Sequence, residues 1–239
     1  MFPTLLDVLD NELDSKHILA QAVTIARQLF FQNDEFVNKY AKQHPDQDVA
    51  TIRWLLLDTP HTVKLSSLCP SDVEFAWYNW EEDPTVLYMS SPFIYQAQSV
   101  FSNVSEPVDR QQMYLLAVLV TYLKGMTYLL HHSVHGELAK EPVSHTLELL
   151  GGKLMFRRLR GRDNRWNFQQ CGIHGIQLTF DQVCQITSAQ FSPPFINVIG
   201  TSTLLMTADE TTCLTSSNHD DEIENVHDSK ISGIICGSD

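Results

Sequence analysis

Three histidines, His131, His132 and His135, stand within five residues of one another at the end of a long apolar stretch. On a helix of 3.6 residues per turn, His131 and His135 are one turn apart. His132 lies about 100° round from His131, so all three imidazoles share one face. Two histidines at i and i+4 can both reach one Zn²⁺ at about 2.0–2.1 Å, and zinc is the cofactor this spacing suggests. A competing reading needs no metal. Histidines in the last turn of a helix interact favourably with the negative end of its dipole and can bond its last carbonyls.

Other residues could also do chemistry. Lys153, Arg157, Arg158, Arg160, Arg162 and Arg165 hold six of the 16 basic residues and are followed by Trp166 and Phe168. Such a strip can grip phosphate or RNA, because arginine pairs with phosphates and aromatic rings stack on bases. The plainer reading is a solvated basic edge facing an acidic body, and in so acidic a chain nucleic acid is not the expected partner. Trp77, Tyr78 and Trp80, beside Glu81, Glu82 and Asp83, could wall a pocket, but a core corner with an exposed acidic turn accounts for them more simply. Cys171 and His174 have a spacing compatible with a metal but no second pair nearby. The sequence contains no G-x-S-x-G, P-loop or G-x-G-x-x-G, so nucleotide and acyl-transfer chemistry lack their usual signatures.

The elements that position these residues are expected to be mainly helical. Apolar residues recur at helical spacing from 4 to about 42 (Leu5, Leu9, Leu13, then Ile18, Ile25, Leu29), which predicts two helices. Pro45 breaks the pattern, and Val49–Leu57 makes a further short helix before Pro60. Thr62–Leu65 and Thr85–Met89 read as strands. Ser71–Trp80 reads as a helix capped by Ser71, and Phe93–Phe101 as another. Ser105-Glu106-Pro107 opens one long helix to His135, apolar around nearly its whole circumference and therefore central to the domain. Gly136 stops it. Ser144–Leu150 is a short helical piece, Ile176–Leu178 a strand, and Thr179–Gln182 a capping box opening a helix through Ile186.

A chain of 239 residues with 43% hydrophobic and 10% aromatic residues is expected to make one sizeable domain, taken as 1–208. Its formal charge of -13 argues against a general role on nucleic acid or anionic membranes. Residues 209–239 carry eight acids against one base and no aromatic residue, the composition of a disordered acidic tail. The five cysteines are odd in number, widely spaced and never in a C-x-x-C pair, so they read as reduced thiols. No secretory signal or stretch of roughly 20 apolar residues is visible. The apolar run Met113–Leu123 reads instead as a core helix, and a cytoplasmic or nuclear location away from membranes is expected.

The segment Tyr128-Leu129-Leu130-His131-His132-Ser133-Val134-His135-Gly136-Glu137 resembles the HExxH helix of zincin metallopeptidases. More specifically, it is similar to uncharacterised fungal zincin-like proteins, in which that helix is followed by Gly-Glu and then by an acidic helix ending in Leu-Phe-Gly-Gly. This chain has Gly136-Glu137 and then Glu148-Leu149-Leu150-Gly151-Gly152. The resemblance covers roughly residues 60–155. It implies an α+β fold, a mainly helical single domain with a small sheet packed on the long buried helix. It also implies zinc on His131 and His135, with Glu148 as third ligand and His145 or Glu137 as competitors. The residue in the place of the catalytic glutamate is His132. Without that carboxylate, nothing is placed to deprotonate a metal-bound water unless His132 serves as base. His132 could instead become a ligand and close the site. The function expected is a degenerate metallopeptidase with little or no activity, acting by binding a protein or peptide partner. The alternatives are an active zinc peptidase with a non-standard base, and a phosphate- or RNA-binding module using residues 153–165.

Overall fold

The computed structural model describes residues 5–7, 17–42, 44–59, 61–67, 75–78, 84–136, 154–160, 166–173, 176–190 and 211–213. The chain forms β1 (Leu5–Asp7), α1 (Ile18–Gln32), α2 (Asp34–Ala41), α3 (Val49–Asp58), β2 (Thr62–Ser66), β3 (Ala76–Tyr78) and β4 (Val86–Ser90). It continues with α4 (Ser91–Phe101), α5 (Val108–His135), β5 (Leu154–Arg160), β6 (Trp166–Ile173), β7 (Ile176–Gln177), α6 (Phe180–Thr187) and β8 (Thr211–Cys213). The fold is α+β and mainly helical, with small sheets.

Helix α5 is its axis. Every residue from Tyr114 to Leu130 is buried, because α1, α3, α4, α6 and the first sheet surround it. With a mean hydropathy of 1.5 the helix is long and apolar enough to cross a membrane, but 94% of that window is buried inside the protein, as befits a core helix. Its span matches the single long helix expected from Ser105-Glu106-Pro107 to His135. Several of its buried polar side chains have hydrogen-bond partners. Thr121 and Thr127 donate to the carbonyls of Ala117 and Leu123, and Tyr40 of α2 donates to the Leu123 carbonyl at 3.2 Å. Tyr122 pairs its hydroxyl with Nε2 of buried His61 at 2.8 Å.

The first sheet has the order β1-β2-β4-β3, with β1, β2 and β4 parallel and β3 antiparallel to β4. Helix α5 approaches it closely at Gly125, where a Cβ would lie 2.4 Å from Cδ1 of Leu87 in β4. The second sheet, β7-β6-β5-β8, is antiparallel, with a register shift between Arg157 and Arg158. It reaches the core through Phe168, whose ring meets Phe75, Phe93 and Tyr114 edge-on.

Local signals account for most helix ends. Asn33 caps α2 through Phe36 N–H, and Asp48 caps α3 through Thr51 N–H. The Thr179–Gln182 capping box opens α6 as expected. Gly136 ends α5 with φ +64°, a left-handed backbone that favours glycine.

Three expectations are corrected. Leu5–Asp7 is a strand and not the start of a helix, because it pairs in parallel with Thr62–Lys64 and the ladder overrides local periodicity. Asn33 divides the helical stretch after Ile18 into α1 and α2. Ala76–Tyr78 is a strand and not part of a helix from Ser71. It pairs with Leu87–Met89, and the Trp77 ring stacks on that of Tyr88 with centroids 5.8 Å apart. The basic strip at 153–165 contains β5, which the sequence reading did not anticipate. Of the acidic stretch 209–239, only Thr211–Cys213 are described, as β8 against β5. The helix expected at Ser144–Leu150 lies outside the described residues.

Candidate metal centre

Helix α5 delivers His131 and His135 from its last two turns, and their ring centroids lie 4.6 Å apart. A third imidazole meets them. His44, in the turn between α2 and α3, has its ring centroid 5.6 Å from that of His131 and 5.3 Å from that of His135. Its Nδ1 is 3.1 Å from Nε2 of His135. One ligand nitrogen from each of the three lies within 4.8 Å of the others, so these histidines are close enough to hold a metal ion.

The turn sets the position of His44. Its N–H donates to the Ala41 carbonyl, its own carbonyl accepts from Gln47 N–H, and Asp48 then starts α3. Pro45 keeps the chain from continuing as helix. The side chain is 1% exposed, and its Nε2 has no hydrogen-bond partner among the described residues. Burial, reinforced by the neighbouring His131 and His135 charges, lowers its pKa to about 4. The imidazole is therefore neutral at physiological pH, the form a metal binds. The cluster grades from buried His44 through half-buried His131 to exposed His135.

His132 points elsewhere. Its ring lies 5.8 Å from that of Tyr78 in β3, whose hydroxyl donates to the Pro84 carbonyl. The sequence reading put all three α5 histidines on one face, whereas the structure gathers His131 and His135 with His44 and sets His132 beside the sheet edge. Glu148, Glu137 and His145 lie outside the described residues, as do His174 and Trp80. Trp77 and Tyr78 are buried in β3, a core position and not a pocket wall. Sequence reasoning missed His44. It sits 91 positions from His135, in no motif, and nothing local marks it as a ligand.

Chemically, the cluster is a set of three imidazoles, with no carboxylate joining them among the described residues. Imidazole suits Zn²⁺, Cu²⁺, Ni²⁺ and iron. Without an ion, the 3.1 Å contact between His44 and His135 suits an N–H···N hydrogen bond, one ring donating to the other. No protein-family model, curated protein or solved structure matches the chain.

Proposed function

We propose that this chain is a zincin-like protein that holds a zinc ion at the end of α5 through His131 and His135. We further propose that it has lost, or nearly lost, peptidase activity and acts by binding a protein or peptide partner in the cytoplasm or nucleus. The observation that carries the metal part is the convergence of the two i, i+4 histidines on a third imidazole, as a shared ion requires. The zincin part rests on the HHSVH segment at the end of a buried helix and on the Gly-Glu and Gly-Gly steps after it. Loss of activity is supported by the residue that follows the first histidine. His132 replaces the glutamate that serves as general base, and its ring lies against Tyr78.

Zinc analysis of the purified protein, with His131→Ala and His135→Ala beside it, tests the reading. About one zinc per wild-type chain and little in either variant is expected, and equally low zinc in all three overturns the metal site. A casein digestion assay addresses activity. No chelator-sensitive cleavage is expected, and cleavage abolished by chelator would identify an active peptidase instead.

A further inference from the structure

We propose that His44 is the third protein ligand of this metal site, binding through Nδ1 while His135 binds through Nε2, so that the ion joins the α2–α3 turn to the end of α5. This rests on the metal reading above and adds to it a ligand that precedes the histidine helix in sequence.

Geometry carries the argument. Two nitrogens bound at about 2.0–2.1 Å to one tetrahedral ion are about 3.3 Å apart, and His44 Nδ1 and His135 Nε2 are separated by 3.1 Å. An imidazole bound at that length has its centroid about 3.2 Å from the ion, so three such rings have centroids about 5.2 Å apart. The three observed separations, 4.6, 5.3 and 5.6 Å, bracket that value. The rings therefore form a nearly regular triangle of the size one ion needs.

Burial adds a second reason. His44 is 1% exposed, and its turn is fixed by backbone hydrogen bonds on both sides, so the ring is presented by the fold before any ion arrives. A polar ring in such a position is costly to bury without partners. The described residues give it one partner, the ring of His135, and leave its Nε2 with none. An ion bound at Nδ1 replaces that single ring-to-ring contact with a coordinate bond, while Nε2 keeps its hydrogen and gains nothing from the ion. Three imidazoles also complete the ligand count of an open zinc site without recruiting an acid from the segment after Gly136.

Zinc affinity, measured by competition with a chromophoric chelator, tests the proposal on the full chain. His44→Ala and His44→Gln are compared with Glu148→Ala and with His131→Ala. Loss of a ligand is expected to weaken binding by at least about 100-fold, the upper end of what removing a supporting residue outside the coordination sphere costs. His44 variants weakened like His131→Ala support the proposal. His44 variants that bind like wild type, with Glu148→Ala weakened, overturn it and leave the metal site standing. Absence of zinc from wild type overturns the site itself. Ring ¹⁵N spectra of the wild-type protein guard against a misfolded variant. Adding zinc should move His44 Nδ1 and His135 Nε2 to metal-bound shifts, and an unmoved His44 would refute its role.

Discussion

Gly125→Ala places two opposing effects at one position. In the interior of a helix, replacing glycine with alanine is worth about 1 kcal/mol of propensity. Here the new methyl would meet Cδ1, Cδ2 and Cγ of Leu87 at 2.4, 2.5 and 3.0 Å. Leu87 is fully buried and lies in β4, between β2 and β3, so neither its side chain nor its strand has free space to retreat into. Overpacking of this kind costs about 1–3 kcal/mol, and three contacts this short put it in the upper half of that range. The clash therefore outweighs the propensity, and a net loss of about 1–2 kcal/mol is expected. In a chain of this size that lowers the melting midpoint by roughly 2–8 °C. Thermal and urea unfolding would measure it, with the same substitution repeated in a Leu87→Ala background. Removing the leucine should abolish the penalty and leave the alanine neutral or stabilising. A Gly125→Ala protein that melts at or above wild type, or a penalty that persists without Leu87, would refute the close approach of α5 to the sheet.

Two further outcomes follow from the same core. In metal-free protein, His44 should make stability fall with acid. The unfolded chain takes up this proton near the ordinary value of 6.5, and the folded chain resists it until about 4. The contribution is therefore fully present above pH 6.5 and is lost between pH 6.5 and 4, about 3 kcal/mol in all and about 2 kcal/mol by pH 5. Burial also lowers the pKa values of His17 and His61, so wild type is compared with His44→Gln, whose acid limb should be shallower by that amount. Parallel urea-unfolding curves would remove the argument. Tyr122→Phe should cost about 1–3 kcal/mol, because it leaves the buried His61 Nε2 without the hydroxyl 2.8 Å away. Equal urea midpoints for variant and wild type would show that this bond contributes nothing.

How much of this was legible in the sequence depended on the range of the interaction. Where a local signal and the tertiary role agree, as in the capping box of α6, the proline at the start of α5 and the β-branched run of β2, the element lies where its residues predict it. Leu5–Asp7 opens a run with leucines at helical spacing (Leu5, Leu9, Leu13) and becomes a strand because its partner, Thr62–Lys64, lies far along the chain. The arginines of β5 advertised charge and hid a strand, since the register that defines it belongs jointly to β5, β6 and β8. The histidine cluster divides in the same way. His131 and His135 announce themselves through an i, i+4 spacing that one helix enforces. His44 reaches them only because α2 ends where it does and Pro45 turns the chain, and no periodicity records that.

The separation of His44 and His135 by 91 positions has a consequence for the unfolded chain. An ion held by both would close a loop enclosing α3, the strands β2 to β4, α4 and nearly all of α5. If it acted as a covalent cross-link of that span does, it would remove chain entropy from the denatured ensemble worth about 4–5 kcal/mol. Thiols do not persist as disulfides in a reducing compartment. There, a pair of histidines at the two ends of the helical core could supply the tether that secreted domains obtain from cystine.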